Sequence, residues 1–486
     1  MNATLLLTSD YLGCWVNDLK FCFNVETVDV YVIKSAKASL FYSLCSKIDG
    51  IVFGKSKSLR KEGIGCNVIF ISKERLEESL EDYDTIINTT SLALQKRQGQ
   101  DIFSLKVSNR TDLKDAILYN TVCAYEKVTL SISDEEIIYE TSLRFHPLSF
   151  SKNTDLVLHA FLSLLSVCVN KRSHFRANEL AAINTKERQI SLLDCLRYLN
   201  RFAKRTLEHF LYNEQWVIGY NLPDEKTIGI DGTNIREITP PKDRFWADPF
   251  VVLENNRYYI FVEELIYKNK IAHLSVFELK LNGSYSAPTK ILEKPYHLSY
   301  PFIFKLEERY YMIPETANNS DIQLYESVEF PHEWRFKKVL IDNIKASDTT
   351  LLAYDNKWWL FTSIKEYDHG VYDNNLVIYY SDDLLNGSWT EHRGNPVKHN
   401  ILNSRQGGGF FEEGSSIFRV SQNCSKRYGY GFSVNRIKSL TTDYYEEEEV
   451  YSFAPMESGK IKGIHTYNQL NNRLKVFDIL IRQRKF

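Results

Sequence analysis

The sequence predicts a multidomain chain, with an α/β domain first and an all-β domain of repeated sheets second. Three observations predict it. Residues 1 to about 190 alternate short apolar runs with helix-like stretches. A Gly- and Pro-free amphipathic stretch follows, around residues 191–214. From residue 215 onward the chain reads as strands and turns, with three near-copies of one segment: ADPFVVLENNRYYIFVEE from Ala247, SYPFIFKLEERYYMIPET from Ser299 and ASDTTLLAYDNKWWLFTS from Ala346.

In the first region the expected strands are TLLLTS (4–9), VDVYVIK (28–34), GIVFG (50–54), NVIFIS (67–72) and DTIINT (84–89). KERLEESLEDY between the last two has the charged faces of a surface helix. Strand-helix alternation of this kind argues for a parallel, Rossmann-type sheet. A β-rich tail around AYEKVTLSIS and EEIIYETSL follows, then an apolar helix near 156–169. GIVFGKS resembles a phosphate-binding loop, but it is one residue short and filled with Val and Phe, so it reads as strand and turn.

The connecting stretch, SLLDCLRYLNRFAKRTLEHFLY, places Leu193, Leu196, Leu199, Phe202, Leu207 and Phe210 at roughly helical spacing. Arg197, Arg201, Lys204 and Arg205 fall elsewhere on the helix. A domain-bridging helix is the plain expectation. Peripheral contact with a membrane surface or a partner is the sharper one.

Each repeat in the second region is an apolar strand, a polar turn and a second strand opened by an aromatic pair: Tyr258-Tyr259, Tyr310-Tyr311 and Trp358-Trp359. Two weaker copies, GGGFFEEGSSIFRVSQN and GIHTYNQLNNRLKVFD, extend the series. The aligned positions are Asp248, Tyr300, Asp348, Gly407 and His465, at spacings of 52, 48, 59 and 58 residues. Strand-rich repeats with a period of about 40–50 residues mark β-propeller blades, so residues 215–486 are expected to form a five-bladed propeller. First strands of successive blades would then converge on one axis.

Composition narrows the function classes. The 60 basic and 62 acidic residues nearly cancel, so no overall field points to nucleic acid or to an anionic membrane. The eight cysteines contain no CxxC pair and suit neither a zinc site nor a disulfide framework. Reduced thiols and an N-terminal stretch lacking a basic n-region give the expectation of a cytoplasmic protein, with the inner face of a membrane as a candidate location. The run LVLHAFLSLLSVCV is too short to span a bilayer.

The repeat register also aligns Glu263, Glu315, Ser363 and Gln422 at the ends of the second strands. Asp248, Asp348, Glu263 and Glu315 thereby become neighbours near one mouth. Buried unpaired carboxylates are costly, and like charges held close split their pKa values. That split equips one site with an acid and a base, as glycosyl chemistry requires. The alternative is structural: turn residues, and glutamates paired with Arg244 or Arg405. His465 is a candidate cation ligand on the axis. Trp246, His297, Tyr300, Arg405 and Gln422 are candidate substrate-binding residues. The glycine run after Arg405 is expected to let the backbone approach a ligand closely.

The motifs FWADPF, HLSYPFIF, YYMIPET, FPHEW, DTTLL, WWLF, WTEHRGNPV, FRVSQNCSKRYGYG and GIHTYN, in that order, resemble the propeller domain named for the N-terminal part of glucosamine inositolphosphorylceramide transferase, which also occurs in bacterial proteins. That domain is similar to glycoside hydrolase family 43. The resemblance implies a general base at Asp248, with Asp348 and Glu315 completing the acid set and His465 at the position of an ion-holding histidine. The first 190 residues resemble a methionyl-tRNA formyltransferase-type fold in layout. Where that family has a His-x-Ser-Leu-Leu-Pro motif this chain has FSLKVSN (103–109), and its first histidine is His146. A degenerate domain is therefore expected.

Together these readings predict a carbohydrate-active protein that transfers a glycosyl group in surface polysaccharide or glycolipid synthesis. Glu315 or Glu263 would be the acid, Asp248 the base or nucleophile, and Asp348 an electrostatic aid. A nucleotide sugar is the candidate donor, a divalent cation the candidate cofactor, and Arg405 the group that would hold a phosphate or carboxylate. The rivals are a glycoside hydrolase using the same acids, a non-catalytic sugar-binding protein and a formyltransferase acting on an amino sugar.

Overall fold

The computed structural model describes residues 3–19, 28–34, 46–169 with short breaks, 190–221, 230, and 235–484 apart from 281, 366–374, 456–458 and 471–473. The chain divides into two compact units, residues 1–207 and, apart from 366–371, residues 208–486.

The first unit is built on a seven-stranded sheet of β1 (Ala3–Thr8), β2 (Asp29–Ile33), β3 (Asn67–Phe70), β4 (Thr85–Asn88), β5 (Asp101–Val107), β6 (Lys127–Ser133) and β7 (Ile138–Arg144). Its spatial order is β3-β2-β1-β4-β5-β6-β7. β1 to β5 pair in parallel, while β6 and β7 add as antiparallel strands. Helices α1 (Lys73–Ser79), α2 (Leu113–Val122) and α3 (Phe150–Val169) lie in this unit. Apolar residues occupy successive positions of the central strands, as expected of a sheet covered on both faces. Leu5, Leu7, Val30, Val32 and Ile87 pack in one core with Trp15 and with Leu158, Phe161 and Leu165 of α3. The opposite face buries Leu6, Tyr31 and Ile86 against Leu76 and Leu80. Asp112 caps α2 by accepting the Asp115 N–H. Asp49 accepts the Phe150 and Ser151 N–H groups that open α3.

Residues 49–52 are helical, which corrects the strand expected at GIVFG; residues 53–54 lie outside the described residues. A short apolar run cannot by itself separate strand from helix. α4 (Leu192–Leu211) realises most of the expected amphipathic stretch, but residues 212–214 already belong to the strand Tyr212–Asn221. Its first half packs on the first unit. The buried Tyr198 donates to the Leu148 carbonyl, and Arg201 donates to the carbonyls of Thr121 and Val122.

The second unit is a five-bladed β-propeller. Blades 1 to 4 start with strands Arg244–Glu254, Ser299–Leu306, Ala346–Tyr354 and Phe411–Glu413, and each continues outward in sequence order as an antiparallel sheet. Blade 5 takes strands from both ends of the unit. Leu474–Arg484 pairs with Tyr212–Asn221 in unbroken register, from Lys475 opposite Asn221 to Arg484 opposite Tyr212. This closure hydrogen-bonds an edge that would otherwise stand open.

The aromatic pairs have a structural reason. Neighbouring residues on a strand point to opposite faces, so a pair fills both gaps beside its blade. Tyr258 packs with Trp246 and Phe277 on one side of blade 1, while Tyr259 packs into the neighbouring core. Trp359 and Trp358 divide in the same way in blade 3.

The repeat register has a backbone signature. The inner strands of blades 1, 2 and 3 each break register at the same place, between Ala247 and Phe250, Ser299 and Phe302, and Ser347 and Thr350. Asp248, Tyr300 and Asp348 sit in these bulges with φ of 50°, 46° and 52°. Left-handed non-glycine residues are uncommon and carry strain, and bulges redirect side chains.

Candidate active site

A cavity of about 230 Å³ lies where these bulges come together. Asp248, Glu263, Glu315, His297, Arg405 and His465 line it together with Trp216, Phe245 and Tyr428. The bulges and the second-strand ends deliver the carboxylates. Trp216 comes from the closing strand of blade 5, Arg405 from the loop that enters blade 4, and Tyr428 from the loop joining that blade's second and third strands.

Asp248 is almost fully buried, and its carboxylate is fully engaged. Oδ1 accepts from the Thr466 hydroxyl at 2.7 Å and lies 3.2 Å from His465 Nε2. Oδ2 accepts from the Tyr300 N–H at 3.2 Å. Burial pushes this carboxyl up, but His465, Thr466 and Arg405 together outweigh burial and hold it below the ordinary range. Asp248 is therefore ionised at neutral pH.

Glu263 and Glu315 are its opposites. Burial lifts Glu263 to about 7, against the pull of His297, whose Nε2 is 2.9 Å from Oε1; the charge of Asp248 adds to the rise. Burial, followed by repulsion from Asp348, pushes Glu315 well above the carboxylate range. Its Oε2 accepts the Asp348 N–H at 3.2 Å. Asp348 stands behind the cavity wall. Its Oδ2 accepts from Arg405 Nε at 2.5 Å and from Gln422 Nε2 at 2.8 Å, and burial still raises its pKa against the Arg405 charge. The Arg405 guanidinium lies over the Tyr428 ring, 5.0 Å from its centre.

The arrangement thus holds one carboxylate charged and one protonated at a shared cavity, with a third poised near neutrality. That is the protonation pattern of acid-base work on one substrate.

His465 is clamped between acids. Nε2 faces Asp248, and Nδ1 lies 2.7 Å from Asp478 Oδ2, off the line of its N–H. Burial disfavours the imidazolium, yet Asp478 and Asp248 raise its pKa well above the usual value. Ligand atoms of Asp248, His465 and Asp478 lie within 4.8 Å of one another. A cation would need a neutral imidazole, whereas both ring nitrogens face carboxylates that hold the proton. The trio suits an imidazolium clamped between two carboxylates, and with a neutral imidazole the same three groups could hold a divalent cation.

Several expected contributors stand elsewhere. Trp246 is buried away from the cavity; its indole N–H donates to Glu264, and its ring packs on Phe277. The Tyr300 ring is buried against Phe250, and its hydroxyl bonds Thr350 and the Gly408 carbonyl, so only its backbone N–H serves the site. Gln422 reaches Asp348 rather than the cavity. Arg244 pairs with Asp243 and Glu264, not with Glu263. The glycine run approaches protein and not open space. A Cβ on Gly408, whose φ is 153°, would lie 2.0 Å from the Tyr467 carbonyl oxygen.

Asp478, Thr466, Trp216 and Tyr428 are contributors that sequence reasoning passed over. The fifth hairpin, between paired Tyr467 and Phe477, is one residue shorter than those between Phe250 and Phe261 or Thr350 and Phe361. Constant spacing from His465 lands on Leu480, and the shorter hairpin moves the position equivalent to Glu263 only to Ile479, so Asp478 lies off the repeat register altogether.

Residues 233–480 match the family described as glucosamine inositolphosphorylceramide transferase 1, N-terminal. The chain belongs to that family. It is 36% identical over 210 residues to the glucosamine inositolphosphorylceramide transferase 1 of Oryza sativa subsp. japonica, covering 42% of this chain and 28% of the rice protein. The Arabidopsis thaliana protein of that name is 30% identical over 224 residues, covering 44% and 28%. The match thus spans little more than a quarter of these relatives. Among solved structures, a family 117 glycoside hydrolase of Zobellia galactanivorans aligns with a TM-score of 0.36 at 12% identity, covering 55% of this chain and 90% of that one. A family 43 endo-arabinanase from Bacillus licheniformis aligns at 0.36 and 17%, covering 51% and 95%. The five-bladed architecture itself rests on the strand pairing described above.

Proposed function

We propose that this family's propeller in the present chain catalyses glycosyl transfer to a glycolipid acceptor. One observation carries the reading: the opposed protonation of Asp248 and Glu315 across a cavity whose floor is built from equivalent positions of successive blades. Glu315 would protonate the leaving oxygen of an activated sugar. Asp248 would accept the proton of the attacking hydroxyl or attack the anomeric carbon itself. Arg405, held by Asp348 and Tyr428, would face the phosphate of the donor or acceptor. Trp216 and Phe245 offer apolar faces of the kind that sugar rings stack on. The relatives' name, an inositolphosphorylceramide transferase of glucosamine, supplies the acceptor and sugar classes to try first.

For the first unit, the degenerate formyltransferase-like reading is kept as part of this proposal. The parallel order β3-β2-β1-β4-β5 suits a Rossmann-type half. Residues 103–107 of FSLKVSN lie on β5. The first histidine, His146, accepts the Leu148 and Ser149 N–H groups, and burial lowers it to about 4, so it serves as a neutral structural acceptor.

The test incubates the full chain with a panel of nucleotide sugars and inositolphosphorylceramide, and reads glycolipid products by mass spectrometry. Parallel reactions use aryl glycosides in water. A product mass one sugar heavier than the acceptor supports transfer. Aryl glycoside turnover alone assigns the same acids to hydrolysis, and sugar binding without either activity makes the propeller a recognition module.

A further inference from the structure

Glu263 differs from the other cavity carboxyls in what it leaves open. Asp248 is occupied on both oxygens: Oδ1 accepts from the Thr466 hydroxyl and faces His465 Nε2, and Oδ2 accepts from the Tyr300 N–H. The Glu263 carboxyl has one hydrogen-bond partner among the described residues, His297, whose Nε2 lies 2.9 Å from Oε1. That leaves Oε2 to the cavity that Glu263 lines. His297 is itself placed. It sits on the loop between the outer strand of blade 1, Thr289–Leu292, and the first strand of blade 2. Its Nδ1 accepts the Ala272 N–H at 3.4 Å. That bond puts the ring proton on Nε2, so Nε2 donates to Oε1 and fixes the orientation of the carboxyl.

We propose that Glu263, positioned by His297, is the general base that takes the proton of the attacking hydroxyl, while Asp248 keeps its charge and faces the anomeric carbon. This rests on the glycosyl-transfer reading and moves its proton acceptor from Asp248 to Glu263, with both carboxyls still required. The acceptor's O–H bond breaks and the proton passes to Glu263 Oε2. The acceptor oxygen bonds the anomeric carbon, and the bond to the leaving oxygen breaks with its electron pair. Glu315 protonates that oxygen. After the products leave, Glu263 gives its proton to solvent and Glu315 regains one. An oxygen with no partner can meet a hydroxyl directly, whereas each Asp248 oxygen already holds a donor. A carboxyl poised near neutrality is also a stronger base than one held below the ordinary range. Asp248, His297 and His465 are the charged groups that act on Glu263, and Glu315 and Arg405 line the same cavity.

The test uses the full chain on whichever donor or aryl glycoside the parent turns over, with melting followed to show each variant folded. Glu263→Gln should lose about 10²–10⁴ in kcat. Glu263→Ala should lose as much and regain at least about ten-fold in added formate, a small carboxylate that enters the vacated space, while Asp248→Ala should gain nothing from it. His297→Ala should lower kcat by about ten- to a hundred-fold with KM within about two-fold, because a carboxyl free to turn is a misplaced base. His297→Gln, whose amide N–H can replace Nε2–H, should restore most of that loss. A folded Glu263→Gln chain within about three-fold of the parent rate overturns the proposal. So does a Glu263→Ala loss that formate leaves untouched, and formate rescue of Asp248→Ala alone returns the base role to Asp248. A parent without turnover on any donor or glycoside ends the glycosyl reading and this proposal together, whereas parent turnover indifferent to Glu263 ends this proposal alone.

Discussion

Replacing Arg405 by Met removes the only cation on Asp348 among the described residues and leaves a carboxylate that is 2% exposed facing Gln422. Breaking a buried pair by deleting one partner costs about 3–5 kcal/mol, because the remaining charge stays desolvated. The penalty depends on pH in a direction that can be worked out. Burial already raises the Asp348 pKa in the folded chain, and losing Arg405 raises it further. A folded carboxyl that holds its proton above the unfolded value makes stability fall as pH rises from the unfolded pKa through the folded one. The deficit of R405M should therefore be full near pH 8 and shrink towards pH 4. At about 2–4 °C per kcal/mol for a unit of this size, the loss at pH 8 is of the order of 10 °C. Six of the seven tryptophans lie in residues 208–486, so tryptophan fluorescence reads the propeller's melting directly. Adding Asp348→Asn should restore most of the loss, since the amide oxygen can still accept from Gln422. A variant within about 1 kcal/mol of the parent, or a deficit that Asp348→Asn leaves untouched, would refute the pairing argument.

Two further outcomes follow from the same geometry. Activity should rise or fall through a limb with an apparent pKa near 7, set by Glu263, and Glu263→Gln should abolish that limb in the pH-rate profile; the same change should flatten the decline in stability between about pH 4.5 and 7 that the retained proton produces. Gly408→Ala should fail to give a folded propeller or lower its melting steeply, because a Cβ there would meet the Tyr467 carbonyl oxygen at 2.0 Å on a backbone at φ 153°; Gly414→Ala, with φ 62° but nothing within 4 Å, is the milder control read by the same melt.

Much of the propeller was legible because its repeats carry large rings at fixed offsets. An aromatic pair at the start of a second strand fills the gaps on both sides of its blade, as Tyr258-Tyr259 and Trp358-Trp359 illustrate. Aligning the pairs also aligns the bulges, and so places Asp248, Glu263 and Glu315 together, as their shared cavity bears out. The rest depended on contacts that leave no local mark. Tyr212–Asn221 closes blade 5 by backbone pairing, which any extended segment could supply, so neither the closure nor Trp216 announced itself. Asp478 was hidden because it lies one residue off the repeat register, next to Ile479, which takes the position of Glu263. Trp246 neighbours the site in sequence, yet alternation along the strand turns it to the opposite face from Ala247, into the gap beside Phe277. In the first unit, residues 49–52 were apolar enough for a strand and became helix.

The most direct measurement is the rate of the Asp248→Asn chain beside Glu315→Gln and the parent, on whichever glycosyl donor the parent turns over. Sugar affinity should be followed in parallel by calorimetry. Separate acid and base roles predict that each variant loses roughly 10²–10⁴ in rate while ligand affinity stays within a few-fold and melting shows the propeller folded. Undiminished turnover by both folded variants would contradict the account, because the charged and the protonated carboxyl at this cavity would then take no part in the chemistry.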